Sequence, residues 1–262
     1  MAEPLADLTA AVIAVTHEAA TMALARWQTD FARWEKTPGS PVCEVDLDVD
    51  RMLRARLAGL LPDAGWLSEE TVDSPDRLAC ARVWVVDPID GTRDYIRGRP
   101  GWAVSVALVD AGEVVLGVLD APARDERWHA TLGQGAWRND VALHAGDRTM
   151  LAGARVPTDA LPKIDRHLTA VHKPNSIALR MAMVAADEAD LLTTLRWGNE
   201  WDIAAAALIA AEAGATVSDA LGAPLRYNKP DPTAFGVMVA APGIHGEALA
   251  WLEGRARAAF GG

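Results

Sequence analysis

The amino-acid sequence predicts a mixed fold, α+β in its first half and α/β in its second half. In the first half, two segments with apolar residues at helical spacing precede a group of short apolar strands. In the second half, candidate strands and helices alternate along the chain, which favours a layered arrangement. Half of the 262 residues are hydrophobic and 23% are charged, so the chain has the composition of a globular protein with a sizeable core.

The first half is predicted to place two helices beside an antiparallel sheet. Apolar residues recur at helical spacing within 4–34 and again within 46–60, and turn-forming residues follow each segment. Two apolar strands, 104–109 and 114–119, flank a tight turn at Asp110–Gly112. Strands joined by so short a turn are typical of an antiparallel hairpin.

The second half alternates between strand and helix patterns. Candidate strands lie near 150–155, 168–172, 190–195, 215–218 and 235–240, and candidate helices lie near 176–186, 202–213 and 243–258. A boundary near residue 143 is expected to divide the chain into an N-terminal half, 1–143, and a C-terminal half, 144–262, although no flexible linker marks it.

Charge and cysteine content argue against several classes of protein. The net charge is −11 and the pI is near 5.0, which disfavours binding to a nucleic-acid polymer. Cys43 and Cys80 are the only cysteines and lie far apart, which argues against a zinc site or a disulfide framework. The N-terminus lacks the basic segment of a signal peptide, and the longest apolar stretch, Ile203–Ala211, is too short to span a bilayer. We therefore expect a cytoplasmic protein that does not bind membranes.

The most informative segment is the hexapeptide Asp-Pro-Ile-Asp-Gly-Thr at Asp87–Thr92. The apolar run Val83–Val86 is predicted to be a buried strand that delivers Asp87 at its end, and Asp90 follows three residues later. Gly91 allows the backbone to bend toward a ligand. Two carboxylates at this spacing suit hard cations, and the N–H groups of the turn suit an anion. A capped turn with solvated acids is the alternative interpretation.

Three other acidic segments have both a structural and a functional interpretation. Glu69 and Glu70 follow a predicted strand at 65–67, where adjacent acids are most often a solvated surface. Asp202 precedes a long apolar run, where an acid is most often a helix N-cap. Asp46 begins the second predicted helix, and the acids beside it do not fit the pattern of a calcium-binding loop. The functional interpretation requires these carboxylates to project into one shared site.

Together these segments resemble the inositol monophosphatase superfamily. The matching residues occur in the same order over nearly the whole chain: Lys36, Asp46, Glu69-Glu70, Asp87–Thr92, and Trp201-Asp202 followed by Ala204-Ala205. The resemblance implies a layered αβαβα sandwich. It also implies a Mg²⁺-dependent phosphomonoesterase that binds two to three Mg²⁺ ions, accepts Mn²⁺ as a substitute and is inhibited by Li⁺.

By position, the resemblance also implies a set of metal ligands. Glu69, Asp87 and the carbonyl of Ile89 would hold the first ion. Asp87, Asp90 and Asp202 would hold the second ion, and Glu69 would reach a third through water. Most ligands would then come from the N-terminal half, and the C-terminal half would supply Asp202 and substrate contacts.

The catalytic residues that the resemblance implies are Asp46, Thr92 and Glu69. Asp46 would hydrogen-bond Thr92 and so orient the attacking water, and in-line attack would need no covalent phosphoenzyme. The candidate substrate contacts are Asp90, Gly91, Thr92, Asp202, Arg180 and Lys36. An exposed arginine on a helix is the structural alternative for Arg180.

Two departures from the family pattern bear on the substrate. Leu195 stands where inositol monophosphatases tend to have a glutamate that binds inositol hydroxyls. Glu200, directly before Trp201-Asp202, is more like members that cleave 3′-phosphoadenosine 5′-phosphate. The sequence therefore favours a 3′(2′),5′-bisphosphate nucleotidase, and Leu195 and Glu200 are expected to decide the substrate.

Other functions stay open at this point. An inositol-1-monophosphatase and a broad sugar-phosphate phosphatase are alternatives within the superfamily. A catalytically silent binding or regulatory protein on the same fold is the alternative from another class. In each case the expected ligand is a small phosphorylated metabolite, and the protein is either a monomer or a homodimer.

Overall fold

The computed structural model describes residues 3–261 of the chain. Its helices are α1 (Glu3–Arg26), α2 (Glu44–Leu60), α3 (Thr92–Ile96), α4 (Ile177–Ala185), α5 (Glu200–Glu212) and α6 (His245–Phe260). Its strands are β1 (Arg33–Thr37), β2 (Ser40–Cys43), β3 (Gly65–Ser68), β4 (Arg82–Asp90), β5 (Ala103–Asp110), β6 (Glu113–Ala121), β7 (Glu126–Thr131), β8 (Ala136–Arg138), β9 (Val141–Ala142), β10 (Arg155–Pro157), β11 (Thr169–Val171), β12 (Leu191–Thr193), β13 (Trp197–Asn199), β14 (Thr216–Ser218), β15 (Thr233–Phe235) and β16 (Met238–Ala240). Short 3₁₀ helices lie at Pro75–Ala79, Pro122–Arg124 and Lys163–Asp165.

These elements form alternating layers, which confirms the predicted αβαβα sandwich. Helices α1 and α2 cover one face of a seven-stranded sheet, and α4 and α5 cover the other face. A second sheet, in the order β12-β16-β14, lies beyond α4 and α5. Helix α6 packs on this second sheet and completes the sandwich.

Strand β4 is the element of the large sheet that carries the hexapeptide. The strand order is β3-β4-β5-β6-β7-β8-β9; β3 and β4 are parallel, and β5 and β6 form the predicted antiparallel hairpin. Because helices cover both faces of β4, its residues are buried without interruption from Val83 to Asp90, and its apolar run does not alternate with polar residues. The register with β5 shifts between Asp87 and Asp90, so Pro88, which has no N–H, lies in the irregular part of the pairing.

Helix α5 is rich in alanine because it lies between two sheets. Residues Ile203–Ala210 are all buried. The helix approaches β6 so closely that a Cβ atom on Gly117 would lie 2.7 Å from the carbonyl oxygen of Ala205. The small residues on both elements permit this contact, and the contact fixes the position of Asp202 in the first turn of α5.

The prediction of a first helix over 4–34 is wrong beyond Arg26. Helix α1 ends there, and 33–37 forms β1, an exposed strand that pairs with β2. Trp27 and Phe31 are four residues apart, as on one face of a helix. In the folded chain, however, their rings pack on aromatic side chains in and after α3, so tertiary contacts override the helical spacing.

Most predicted elements of the second half lie within a few residues of the observed ones. The strand expected near 150–155 is Arg155–Pro157, because Leu151 and Ala154 are buried in a loop and not in a strand. Strands β13 and β15 of this half were not predicted, nor were β1, β2 and β7 to β9 of the first half. The division near residue 143 remains a prediction, and buried residues from both sides of it, such as Val85 and Ile203, belong to one hydrophobic cluster.

Helix α1 is apolar enough to raise the question of a membrane. Its segment Leu5–Arg26 has the length of a membrane span and a mean hydropathy of 1.5. One face of the helix, including Val12, Val15 and Ala19, is buried in the core between α2 and the large sheet. Core packing therefore accounts for this composition.

Candidate active site

A cleft of about 360 Å³ opens where β4 ends. All the predicted metal ligands line it, together with Gly91, Thr92 and Arg180. Its lining residues are Gly39, Ser40, Pro41, Glu69, Asp87, Ile89, Asp90, Gly91, Thr92, Arg93, Lys173, Asn175, Ile177, Arg180, Thr194, Arg196 and Asp202. The fold thus brings together segments of the β1–β2 turn, β3, β4, α4 and α5 that are far apart in sequence.

Three of the lining carboxylates converge. One carboxylate oxygen from each of Glu69, Asp87 and Asp202 lies within 4.8 Å of the other two. Asp87 is buried, and its Oδ1 accepts a hydrogen bond from the N–H of Ile89 at 3.0 Å. We call Glu69, Asp87 and Asp202 the acidic group. An all-oxygen donor set of this kind suits a hard cation such as Mg²⁺.

Asp46 and Asp202 are held by the same helix-capping arrangement. Asp46 is the third residue of α2, and its Oδ2 accepts from the N–H of the N-cap residue Cys43 at 2.8 Å. Asp202 is the third residue of α5, and its Oδ2 accepts from the N–H of the N-cap residue Asn199 at 3.0 Å. Asp202 is therefore not the N-cap itself. In both cases the backbone fixes one carboxylate oxygen before any ligand binds.

Thr92 links Asp46 to the β4 hexapeptide. Its hydroxyl lies 3.3 Å from Oδ1 of Asp46 and 3.0 Å from the carbonyl oxygen of Ile89. The hydrogen bond predicted between Asp46 and Thr92 is therefore present, and the catalytic role of this pair remains a prediction. Asp46 itself lies buried behind the cleft wall.

Asp90 lines the cleft outside the acidic group. Its Oδ2 accepts from the hydroxyl of Ser176 at 2.5 Å and from the N–H of Ala178 at 2.7 Å. Its Oδ1 accepts from the N–H of Ile177 at 3.3 Å. Asp90 thus ties the end of β4 to the start of α4, where a carboxylate also interacts favourably with the helix dipole. Its assignment as a metal ligand remains a prediction.

Gly91 occupies a position that a larger residue would disrupt. Its φ is +96°, in the left-handed region. A Cβ atom here would lie 2.6 Å from the carbonyl oxygen of Gly101 and 3.0 Å from the backbone nitrogen of Ser176. Glycine therefore lets the cleft wall pass between two other segments of backbone.

Lys36 lies on β1 and does not line the cleft. Its Nζ is 2.8 Å from Oε1 of Glu69 and 2.8 Å from Oε1 of Glu70. The side chain therefore pairs with Glu69, which lines the cleft, and with Glu70, which does not, and its contact with substrate remains a prediction. Burial raises the pKa of Glu70 to about 7, although the bond from Lys36 acts in the opposite direction.

The carboxylates of the cleft oppose one another's ionisation. Burial is the largest cause that raises the pKa of Asp87 well above its ordinary value, and repulsion from Glu69 is the second largest. Burial is also the largest cause that raises the pKa of Asp202, and repulsion from Asp90 is the second largest. Burial also raises the pKa of Asp46 to about 6. Clustered acids with raised pKa values are typical of a functional site, and a cation among them would remove the repulsion.

The cleft also has basic residues that the sequence motifs did not reveal. Arg93, Lys173, Arg180 and Arg196 all line it, and we call them the basic wall. Only Arg180 was among the predicted site residues. Arg93 directly follows the hexapeptide, whereas Lys173 and Arg196 belong to no motif, and no pattern marked any of the three as a site residue.

The structure does not place Leu195 or Glu200 in the cleft wall. Glu200 is buried on the other side of α5, where its carboxylate accepts from the N–H groups of Asn228 at 2.6 Å and Lys229 at 3.2 Å. Leu195 packs in the apolar cluster beneath α6. The expectation that these residues decide the substrate is therefore wrong as a statement about direct contact, and Arg196 lines the cleft in their place.

The fold and the cleft together define a class of protein. A layered sandwich in which a buried strand ends in clustered carboxylates, beside basic side chains, is suited to hold cations and a phosphate group together. The family model for the inositol monophosphatase family matches residues 5–256. The chain belongs to this family, and it is an enzyme that hydrolyses phosphoric monoesters.

The relatives of this chain are named after more than one substrate. The chain is 33% identical over 190 residues to a fructose-1,6-bisphosphatase/inositol-1-monophosphatase of Thermotoga maritima, covering 69% of this chain and 72% of the relative. It is 34% identical over 203 residues to the 3′(2′),5′-bisphosphate nucleotidase CysQ of Escherichia coli K12, covering 73% and 81%. Among solved structures, a Thermotoga maritima IMPase matches with a TM-score of 0.80 at 27% identity, over 94% of this chain and 97% of the other.

Proposed function

We propose that this enzyme hydrolyses a small phosphorylated metabolite with the help of Mg²⁺ bound at the acidic group. The observation that carries this proposal is the convergence of three carboxylate oxygens within 4.8 Å of one another at the end of a buried strand. Their donor chemistry fits Mg²⁺, which prefers oxygen ligands and substrate phosphates. Glu69, Asp87, the carbonyl of Ile89, Asp90 and Asp202 would hold two to three ions.

Mg²⁺, when bound, supplies positive charge that lowers the pKa of a nearby water and stabilises the departing oxygen. Asp46 and Thr92 orient the attacking water. When the Thr92 hydroxyl donates to Oδ1 of Asp46, its oxygen presents lone pairs that accept a hydrogen bond from that water. Backbone N–H groups of Gly91 and Thr92 contact the phosphate, since both residues line the cleft beside the acidic group.

For the substrate we favour a 3′(2′),5′-bisphosphate nucleotide such as 3′-phosphoadenosine 5′-phosphate. The similarity to CysQ supports this choice, and so does the basic wall. The similarity to inositol-1-monophosphatases supports the alternative of inositol 1-phosphate, and a broad sugar-phosphate phosphatase is a third candidate. Action on such metabolites in the cytoplasm, by a monomer or a homodimer, fits each alternative.

Phosphate release by chelator-treated protein, before and after Mg²⁺ is restored, tests this function. We expect release from at least one of 3′-phosphoadenosine 5′-phosphate, inositol 1-phosphate and fructose 1,6-bisphosphate, only when Mg²⁺ is present. Mn²⁺ should restore part of the rate and Li⁺ should inhibit it. No release from any phosphomonoester, together with no Mg²⁺ binding by calorimetry, would instead indicate a catalytically silent binding or regulatory protein.

A further inference from the structure

The segment that carries Glu69 lies outside the sheet. Strand β3 ends at Ser68, and residues 69–71 form a bend after it. One backbone contact with β4 follows the strand, from the N–H of Glu69 to the carbonyl oxygen of Val86 at 3.3 Å. Val72, directly after the bend, is 94% exposed, so apolar packing does not hold that end of the segment. Side-chain hydrogen bonds are left to fix the bend.

The buried carboxylate of Asp50, on α2, supplies these bonds. The hydroxyl of Ser68 donates to its Oδ1 at 2.5 Å, and the hydroxyl of Thr71 donates to its Oδ2 at 2.6 Å. The oxygen of Thr71 also accepts from the indole N–H of Trp66 at 3.3 Å, which leaves its own proton for Asp50. Hydrogen bonds of this length from a hydroxyl to a carboxylate are charge-assisted and are among the stronger ones in proteins. We call Asp50, Ser68 and Thr71 the Asp50 group.

Helix α2 holds the cleft wall at two places. Asp46 and Asp50 are four residues apart on one face of the helix, and both are buried. Asp46 accepts a hydrogen bond from Thr92, and Asp50 accepts hydrogen bonds from both sides of Glu69. The helix itself packs on α1 and β4, so a rigid element sets both positions.

We propose that Asp50 is a positioning residue that fixes Glu69 for Mg²⁺ through the hydroxyls of Ser68 and Thr71. This inference rests on the proposed function, because it assumes that Glu69 binds Mg²⁺ at the acidic group. A flexible segment loses conformational freedom when a cation binds to it, and a segment that is already fixed loses less. Asp50 does not line the cleft, so its role is to hold Glu69 and not to bind the cation.

Calorimetry with Mg²⁺ alone, on the metal-free protein at about pH 8, above the ordinary pKa of a carboxyl, tests the inference. Thr71→Val keeps the shape of the side chain and every charge of the protein, and it removes one hydroxyl of the Asp50 group. We expect it to weaken Mg²⁺ binding roughly 10-fold, the lower end of the range for residues that hold a metal ligand in place. Ser68→Ala should act in the same direction. Thr71→Ser, which restores the hydroxyl, should bind Mg²⁺ within about twofold of the parent value.

Two variants of α2 separate the hydrogen bonds from the charge of the helix. Asp50→Asn removes one acceptor oxygen together with the charge, and it should weaken Mg²⁺ binding by at least as much as Thr71→Val. Asp48→Asn is the matched control, because it removes one charge from the same helix at a side chain that is 37% exposed and pairs with Arg51. We expect it to change Mg²⁺ binding by about twofold or less. Equal losses in Asp48→Asn and Asp50→Asn would attribute the effect to the charge of α2 and overturn the inference.

Two further measurements separate positioning from a general loss of structure. Circular dichroism and thermal unfolding without Mg²⁺ establish that each variant is folded at the assay temperature. The Mg²⁺ concentration for half-maximal phosphate release should rise by the same factor as the calorimetric dissociation constant, whereas KM for the phosphomonoester at saturating Mg²⁺ should stay within about twofold. Variants of the Asp50 group that lose stability but bind Mg²⁺ like the parent would show a structural role only and overturn the inference.

Failure of this inference differs from failure of the proposed function. If the parent protein neither binds Mg²⁺ nor releases phosphate from any phosphomonoester, the proposed function is refuted, and the inference with it. If the parent does both, and Thr71→Val, Ser68→Ala and Asp50→Asn all bind Mg²⁺ within about twofold of it, the inference alone is refuted.

Discussion

The acidic group and the basic wall line one cleft, but different contacts hold their side chains in position. Backbone N–H groups fix the carboxylates of Asp87 and Asp202 in advance, and Lys36 donates a hydrogen bond to Glu69. In the basic wall, Arg196 is exposed and Arg180 is anchored only to backbone carbonyls. Rigid positioning suits a reaction that needs fixed geometry, whereas long, loosely held side chains can adapt to different substrates. The comparison indicates that the acids of the cleft are fixed before a ligand binds, and we expect the basic wall to adapt to the substrate.

The largest effect should follow from removal of a charge from the acidic group. Asp87→Asn and Asp202→Asn should each lower kcat with Mg²⁺ by roughly 10³-fold or more, because an amide replaces a charged oxygen ligand. The fold should survive, because burial and repulsion raise the pKa of both acids and their neutral replacements are tolerated. Steady-state phosphate release and thermal unfolding measure the two effects. Asp110→Asn, at an exposed end of β5, is the control, and near-parental activity in either cleft variant would contradict the ligand assignment.

A smaller effect is expected when the carboxylates stay and only the orientation of water is lost. Thr92→Val keeps the shape of the side chain but removes the hydroxyl that bonds to Asp46. We expect kcat to fall roughly 10²-fold, with KM changed by about threefold or less, since general acid–base groups contribute factors of this size. Thr92→Ser should recover most of the rate. A variant that loses KM and keeps kcat would show that Thr92 only binds substrate.

The raised pKa values of acids in and beside the cleft should also make stability depend on pH and Mg²⁺. Unfolded carboxyls lose their protons near pH 4. The folded chain keeps those of Asp46 to about pH 6 and of Glu70 to about pH 7. The folded state therefore binds more protons between about pH 4 and pH 7, so the free energy of unfolding of the metal-free protein falls as pH rises through this window.

Melting temperatures measured at about pH 5 and about pH 8, with and without Mg²⁺, check this dependence. Mg²⁺ should raise the melting temperature by several degrees at the higher pH and by less at the lower pH, where protons compete for the carboxylates. Glu70→Gln should flatten the slope of the metal-free protein. An equal effect of Mg²⁺ at both pH values would contradict the account of the raised pKa values.

The smallest effect on catalysis is expected at Glu200, which the sequence had suggested as a substrate residue. Glu200→Gln replaces one of two acceptor oxygens that bind the N–H groups of Asn228 and Lys229. It should lower the free energy of unfolding by about 1–2 kcal/mol, the cost of a buried hydrogen bond left unmade. Urea unfolding measures this loss. The ratio of kcat/KM for bisphosphate and monophosphate should stay within about twofold, and a larger change would restore Glu200 as a specificity residue.

Helices, strands and turns that a few adjacent residues indicate could be predicted from the sequence. The buried run Val83–Val86, the acids that follow it and the glycine turn at Gly91 describe one continuous piece of backbone. The hairpin of β5 and β6 and the helices α2, α4, α5 and α6 likewise depend on local spacing and turn residues. The first helix was predicted too long because Trp27 and Phe31 pack on aromatic residues distant in sequence. That contact has no local signature.

The sequence alone identified the acids that line the cleft, Glu69, Asp87, Asp90 and Asp202, because their types and their order along the chain are properties of the sequence. Only the tertiary structure decided which residues face the substrate. In the connection between β12 and β13, Thr194 and Arg196 line the cleft, and Leu195 packs beneath α6. Neighbouring side chains of this connection face opposite sides, so a shift of one residue exchanges a partly buried leucine for an arginine that lines the cleft. Which side faces the cleft depends on the packing of α6 and the second sheet, and no local pattern encodes it.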